Sequence, residues 1–265
     1  MNKPLFSRAW KRGALIFALC ATLVAAPAAT HFYFHSNLSS SARLSAAAGA
    51  ANENLESAVA TVNERQSAFY EAARAARLDA RALGAAVIAQ RALQRKPLVS
   101  DFAEYVGSSP NVGLTQVCVG STEAALRIAF TPDAADSALY YGAEAERGEA
   151  YSALRSLLWE WRNERGEALR ELLRVDARAN ALALALIVKQ SLVRARKDAA
   201  FAASRGESDA ALGSLGDDAP RLIAALCHET AFAPRSVEDP ITPSAESLAF
   251  ARIAALLYAR ADVLP

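Results

Sequence analysis

The densest cluster of chemistry-capable side chains outside the first apolar run is Cys227-His228-Glu229. A thiol beside an imidazole and a carboxylate has the residue types of a nucleophile, a base and an orienting acid. On a helix, however, neighbouring residues point about 100° apart and do not face one another. A catalytic Cys227 would need a histidine from elsewhere, and the others are His31 and His35. Those two are four residues apart, a spacing that suits two metal ligands on one helical face. No further Cys or His lies near them, so they read as interfacial residues at the end of an apolar segment. Cys118 and Cys227 are the only cysteines beyond that segment. An oxidising compartment would favour a disulfide between them, against the alternative of two buried free thiols.

Trp159-Glu160-Trp161 places two indoles on different helical faces. One is expected to enter the core. The other is either covered by a third helix or exposed as a contact for a partner. The sequence contains no phosphate-binding glycine loop, dinucleotide fingerprint, zinc-protease helix, paired CxxC or nucleophile elbow. Its carboxylates are mostly interspersed with arginine at helical spacing, as on a solvated face. No catalytic residue, cofactor or metal ligand is therefore assigned, and the reading leans away from an enzyme.

Position in the cell is the clearest sequence signal. Lys3, Arg8, Lys11 and Arg12 precede a stretch, 13–42, that carries no charge. Within it Ala14–Phe34 has about the ~20 residues that a helix needs to cross a bilayer. Flanking cations place residues 1–12 on the cytoplasmic side, and Phe32, Tyr33 and Phe34 suit the opposite membrane–water boundary. Lys11 and Arg12 would sit at the near boundary. The expectation is a single-pass anchor over 13–35 in a bacterial inner membrane, with 36–265 exported to the periplasm. The same residues also fit a signal peptide, with Ala26-Pro27-Ala28 as a small-residue cleavage site and release as a soluble periplasmic protein. Arg12-Gly13-Ala14 resembles the leader junction of type IV pilin-like proteins. Ala18 nevertheless stands where that family usually carries Glu, and Pro27 interrupts the helix early, so no membership follows.

The elements that must position these residues are mainly helical. Alanine, the strongest helix former, dominates the composition, and only 12 Gly and 10 Pro interrupt the chain. A heptad-like stripe, of the kind found in coiled coils, runs from Leu55 through Val59, Val62, Phe69 and Leu83 to Val87. A second runs from Leu154 through Leu158, Trp161, Leu172 and Leu182 to Val193. As unbroken helices of about 40–55 residues these would be about 60–80 Å long. They predict a long antiparallel helical hairpin, or the same helices broken into a bundle, with Gly84, Gly148 and Gly166 as candidate bends. The run Ala181–Val188 is apolar all round and requires a third helix to cover it.

An α/β insertion is expected over 96–147. It would contain a short helix from Asp101 and a small β-hairpin with strands at 112–119 and 125–131, where Leu126, Ile128 and Phe130 alternate. The C-terminal helices occupy 207–265: one beginning at Pro220, and one over 244–261 with Leu248, Ala251, Ala255 and Tyr258 on a shared face.

Net charge is +1, and removing the four N-terminal cations leaves −3 for the remainder. Nucleic acid is not an expected partner, because no concentrated basic face is present. The expected partners are the membrane and envelope proteins, or a second copy of the chain. The functional expectation is a membrane-anchored helical scaffold or interaction protein. The competing expectations are a cleaved periplasmic ligand-binding bundle and an envelope enzyme without a linear motif.

Overall fold

A computed structural model describes residues 54–93, 109–130, 149–204, 219–232 and 244–260. The expected anchor at 13–35, with Lys11, Arg12, His31, Phe32, Tyr33, Phe34 and His35, lies outside these residues. So do the short helix at Asp101 and the candidate bend at Gly148. No helix among the described residues is long and apolar enough to cross a membrane.

The first stripe folds as three helices: α1 over 54–64, α2 over Gln66–Ala76 and α3 over Ala80–Leu93. The break between α2 and α3 has a local cause. Arg77 adopts the left-handed conformation at φ 51°. Leu78 N donates to Ala73 O and Arg77 N to Arg74 O, the paired bonds of a Schellman ending. Asp79 then caps α3, its Oδ1 accepting from the backbone nitrogens of Arg81 and Ala82 at 2.9 and 3.2 Å. Gly84, expected as a bend, lies buried inside α3. Alanine makes this possible, because a helix with Ala on nearly every side can approach its neighbours on all of them.

The second stripe is also broken. Helix α5 (Glu149–Leu158) ends in a 3₁₀ turn at Trp159–Trp161, α6 covers Gly166–Val175, and α7 covers Ala177–Ser204. Gly166 has a positive φ of 53° and marks a break, as expected. At the next junction Asp176 is extended and turns its Oδ1 onto Arg178 N and Ala179 N at 2.8 and 3.1 Å, capping α7. The chain is thus the bundle alternative: its described helices are 10–28 residues long in the regions expected to hold continuous rods.

Between the two groups, β1 (Asn111–Val112) pairs antiparallel with β2 (Val117–Cys118), Asn111 opposite Cys118 and Val112 opposite Val117. A small hairpin is present, but not the one expected. The described part of the run read as its second strand, 125–130, belongs instead to helix α4 (Val119–Phe130). Its buried positions include Thr122, Ala125, Leu126 and Ala129, which recur at helical spacing along one face, whereas Ile128 and Phe130 are only partly buried. Alternation of Leu126, Ile128 and Phe130 suggested period two only because the intervening alanines were counted as the outer face. Alanine is apolar as well, and its helical preference prevails.

Helix α7 is the axis of the bundle. It packs against α2, α4, α5 and α6, and against α8 (Ala219–Leu226), while α8 and α9 (Ala245–Ala259) pack on each other and on α3. Every residue from Ala181 to Val188 is buried, which is the all-round cover that the sequence required. Leu182, Leu184, Leu186 and Ile187 are among the largest fully buried side chains.

Polar contacts hold the hairpin turn in this core. Asn180, fully buried on α7, accepts from Thr115 N and Thr115 Oγ1 at 2.7 and 2.6 Å. Its Nδ2 donates to Val112 O and Leu173 O at 3.0 and 2.9 Å. Arg91 donates to Gly113 O and Leu114 O, and Arg170 to Ser109 O. The hairpin's own backbone ladder is very short, so these side chains supply the partners that a wider sheet would give.

Candidate functional site

Cys227 opens a π-helical turn, Cys227–Ala231, that continues α8. The wider turn changes which side chains meet. Glu229 and His228 both reach the start of α9: Glu229 Oε1 accepts from Ser244 N at 2.7 Å and from Ser247 Oγ, and His228 Nδ1 lies 2.7 Å from Ser247 Oγ. Ser244 caps α9, its Oγ accepting from Ser247 N at 3.1 Å. A serine, a histidine and a glutamate are thus hydrogen-bonded together, but in the wrong order for acyl transfer. In a nucleophilic triad the histidine stands between serine and carboxylate. Here the carboxylate takes the serine proton directly, leaving His228 Nδ1 as donor to Ser247. Ser247 is also fully buried, so no substrate carbonyl can reach it. The cluster fastens α9 to the π turn. Sequence reading missed this role, because only the turn's wider winding and the approach of α9 bring Ser244 and Ser247 to Glu229.

Cys118 and Cys227 are both free and both buried. Of the two alternatives, a disulfide or two buried thiols, the structure has the second arrangement. Complete burial pushes the Cys227 thiol far above its ordinary range, since a thiolate there would lose its hydration. Maleimide should therefore leave both cysteines unmodified in the folded protein and label both after denaturation, as read by peptide mass spectrometry. Rapid native labelling of either would contradict this burial.

An open cleft of about 640 Å³ lies where the α1–α2 kink faces the α6–α7 junction. Glu64, Arg65, Arg174, Asp176 and Arg178 supply its charge. Arg178 forms a two-pronged pair with Glu71 at 2.7 and 2.6 Å, tying α7 to α2, and Arg174 does the same with Glu171 within α6. The charged walls are therefore largely balanced, and apolar Leu114 and Val175 are a minority among polar lining residues, unlike most small-molecule sites.

Hydrogen bonds from Arg178 hold the Glu71 carboxyl below its ordinary 4.5, against an opposing effect of burial and with further help from the Arg178 charge. A depressed carboxyl stabilises the fold above its unfolded-state value, and that contribution is lost as pH falls through the folded-state value. Both side chains are more than a third exposed, so solvent keeps the pair's worth to about 0.5 kcal/mol. Glu71→Gln should cost about that much near neutral pH in urea unfolding. The difference from the unmodified protein should vanish once acid has protonated Glu71.

Trp159 and Trp161 diverge as the sequence suggested. Trp161 is partly buried and packs against the core, whereas Trp159 is 53% exposed. Residues two apart on a helical winding point to different sides, and the 3₁₀ turn keeps them so. Trp159 meets Phe130, the last residue of α4, edge to face with centroids 5.9 Å apart. The Arg162 guanidinium lies 4.1 Å from the Trp159 ring centroid and donates to Trp159 O at 2.7 Å. Arg155 lies over the Phe130 ring at 5.4 Å.

No protein-family model, curated protein or solved structure matches this chain. Its function therefore rests on its own chemistry. Among the described residues no group of three or more His, Cys, Asp or Glu is placed to hold a metal ion. The surface at Trp159 combines a large exposed aromatic with ordered cations, the features typical of a protein contact.

Proposed function

We propose that this chain is an interaction domain held by its N-terminal segment on the outer face of a bacterial inner membrane, where it docks envelope proteins through the surface around Trp159. The observation that carries the docking role is the half-exposed Trp159 indole, braced by Phe130 and stacked by Arg162. Covering the exposed half of the indole would recover about 1 kcal/mol of burial for a partner. The location is supported by the basic residues before an uncharged apolar stretch and by the aromatic residues that end it. Short, locally capped helices suit a compact recognition domain rather than a long spacer.

A benzoylphenylalanine crosslinker placed at position 159 tests the docking role in cells. A discrete protein adduct in the membrane fraction, absent when the crosslinker sits at exposed Leu256, is the expected result. No adduct at either position would remove the docking role. The intact mass of the chain in each fraction tests the location. A full-length chain in the membrane supports the anchor. A soluble chain beginning at Ala29 would favour a periplasmic ligand-binding protein, with the open cleft beside Arg65 and Arg178 as its site.

A further inference from the structure

We propose that the Trp159 surface receives an acidic segment of a partner protein, one that carries carboxylates beside an apolar side chain. This rests on the docking role above and specifies the partner's chemistry.

The argument comes from how the local charges are satisfied. Arginines on neighbouring elements have carboxylate partners: Arg165 with Glu123, Arg170 with Glu167, Arg174 with Glu171 and Arg178 with Glu71. Arg155 and Arg162 have none among the described residues. Each instead lies over an aromatic face, Arg155 on Phe130 and Arg162 on Trp159. Stacking holds a guanidinium plane in place while leaving donors at its edge. The bond from Arg162 Nη1 to Trp159 O fixes that plane further. The patch therefore presents two oriented cationic forks around one indole.

That combination selects among partners. A carboxylate can take two parallel hydrogen bonds from a guanidinium edge, a geometry that stacking has already prepared. An apolar side chain can cover the free part of the indole, and the water displaced strengthens the ion pairs beside it. A basic segment would meet two like charges. A lipid surface is a poorer fit. Bilayer insertion uses a broad apolar face, whereas here a single indole is exposed, Phe130 beside it is partly buried, and Arg162 covers a face of the indole.

The test uses the full chain in zwitterionic phosphatidylcholine nanodiscs and a fluorescein-labelled peptide of alternating Glu and Leu with a central Phe. Its charge-reversed counterpart replaces each Glu with Lys. Anisotropy should show saturable binding of the acidic peptide that weakens as salt rises, and no binding of the basic one. Trp159→Ala and the double change Arg155→Gln with Arg162→Gln should each raise Kd by about tenfold or more. Circular dichroism of both variants should match the unmodified protein, because the altered side chains lie at the surface. Equal binding of the two peptides, or binding unmoved by these changes, would overturn the proposal. So would peptide-independent capture of phosphatidylglycerol vesicles abolished by the same changes, which would assign the patch to lipid. If the acidic peptide fails while the crosslinker at position 159 still yields a protein adduct, the partner chemistry is wrong and the docking role stands.

Discussion

Gly113→Ala should lower the stability of the folded domain by about 3–5 kcal/mol, among the largest losses expected from adding one methyl group. Gly113 has a φ of 73° in the hairpin turn, where a side chain costs about 1–2 kcal/mol through contact with its own backbone. The larger effect is external. A Cβ there would fall 2.1 Å from Leu173 O and 2.4 Å from Asn180 Nδ2. Leu173 O belongs to the backbone of α6 and Asn180 is buried in α7, so neither can give way as a flexible chain end would. Relief would require lifting the turn from both helices.

Two other glycines separate these effects in the same urea titration. Gly166 also has a positive φ, but nothing lies within 4 Å of its Cβ position, so Gly166→Ala should cost only the conformational part, about 1–2 kcal/mol. Gly120, exposed in the first turn of α4, meets only Cys118 Sγ at 4.0 Å. Gly120→Ala should be neutral or stabilise by up to about 0.5–1 kcal/mol. If Gly113→Ala costs no more than Gly166→Ala, the close seating of the turn on α6 and α7 is wrong.

Asn180→Ala should be comparably damaging, at about 3–5 kcal/mol, for a different reason. The side chain fills four hydrogen-bonding roles at once, two as acceptor and two as donor. Its removal leaves Thr115 N and the carbonyls of Val112 and Leu173 to find other partners in a site closed to bulk water. Each buried polar group left without one costs about 1–3 kcal/mol. Asn180→Leu should be no better, since an apolar side chain of similar size restores none of the bonds. The two sites share Leu173 O and the turn, so their effects should not add. The double variant should fall short of the sum by about 1 kcal/mol or more. Strict additivity would mean that turn and asparagine act independently.

These two residues also locate the structural demands on any docking role. The hairpin turn, the last turn of α6 and the start of α7 are joined through Asn180, while Trp159 follows α5, which packs on α2 and α7. Losing the turn would loosen α6 and α7. Losing Trp159 would not, because its indole contributes to the surface rather than to the packed centre. Crosslinking at position 159 is therefore interpretable in a way that changes at Asn180 are not.

Local chemistry made much of this protein legible in its sequence. Alanine and leucine at helical spacing determined that it is mainly helical. The all-round apolar run Ala181–Val188 demanded cover on every side, whereas the helix breaks capped by Asp79 and Asp176 went unread although their chemistry is local. Residues 125–130 are a helix rather than the expected strand, because alanine's local helical preference outweighed the alternation of Leu126, Ile128 and Phe130. These properties depend on residues within a turn or two of one another. The tertiary structure alone decided what depended on distant segments meeting. Cys118 and Cys227 became two buried thiols rather than a bond, because pairing requires a specific separation and orientation that spacing does not encode. Glu229 became an anchor for α9 only once Ser244 and Ser247 arrived, and Asn180 became a hub only once the hairpin turn reached it. Trp159 and Trp161 were certain to diverge. Which indole stayed in water depended on the ending of α5 and on Phe130 and Arg162 beside it, and that choice defines the surface to which we assign function.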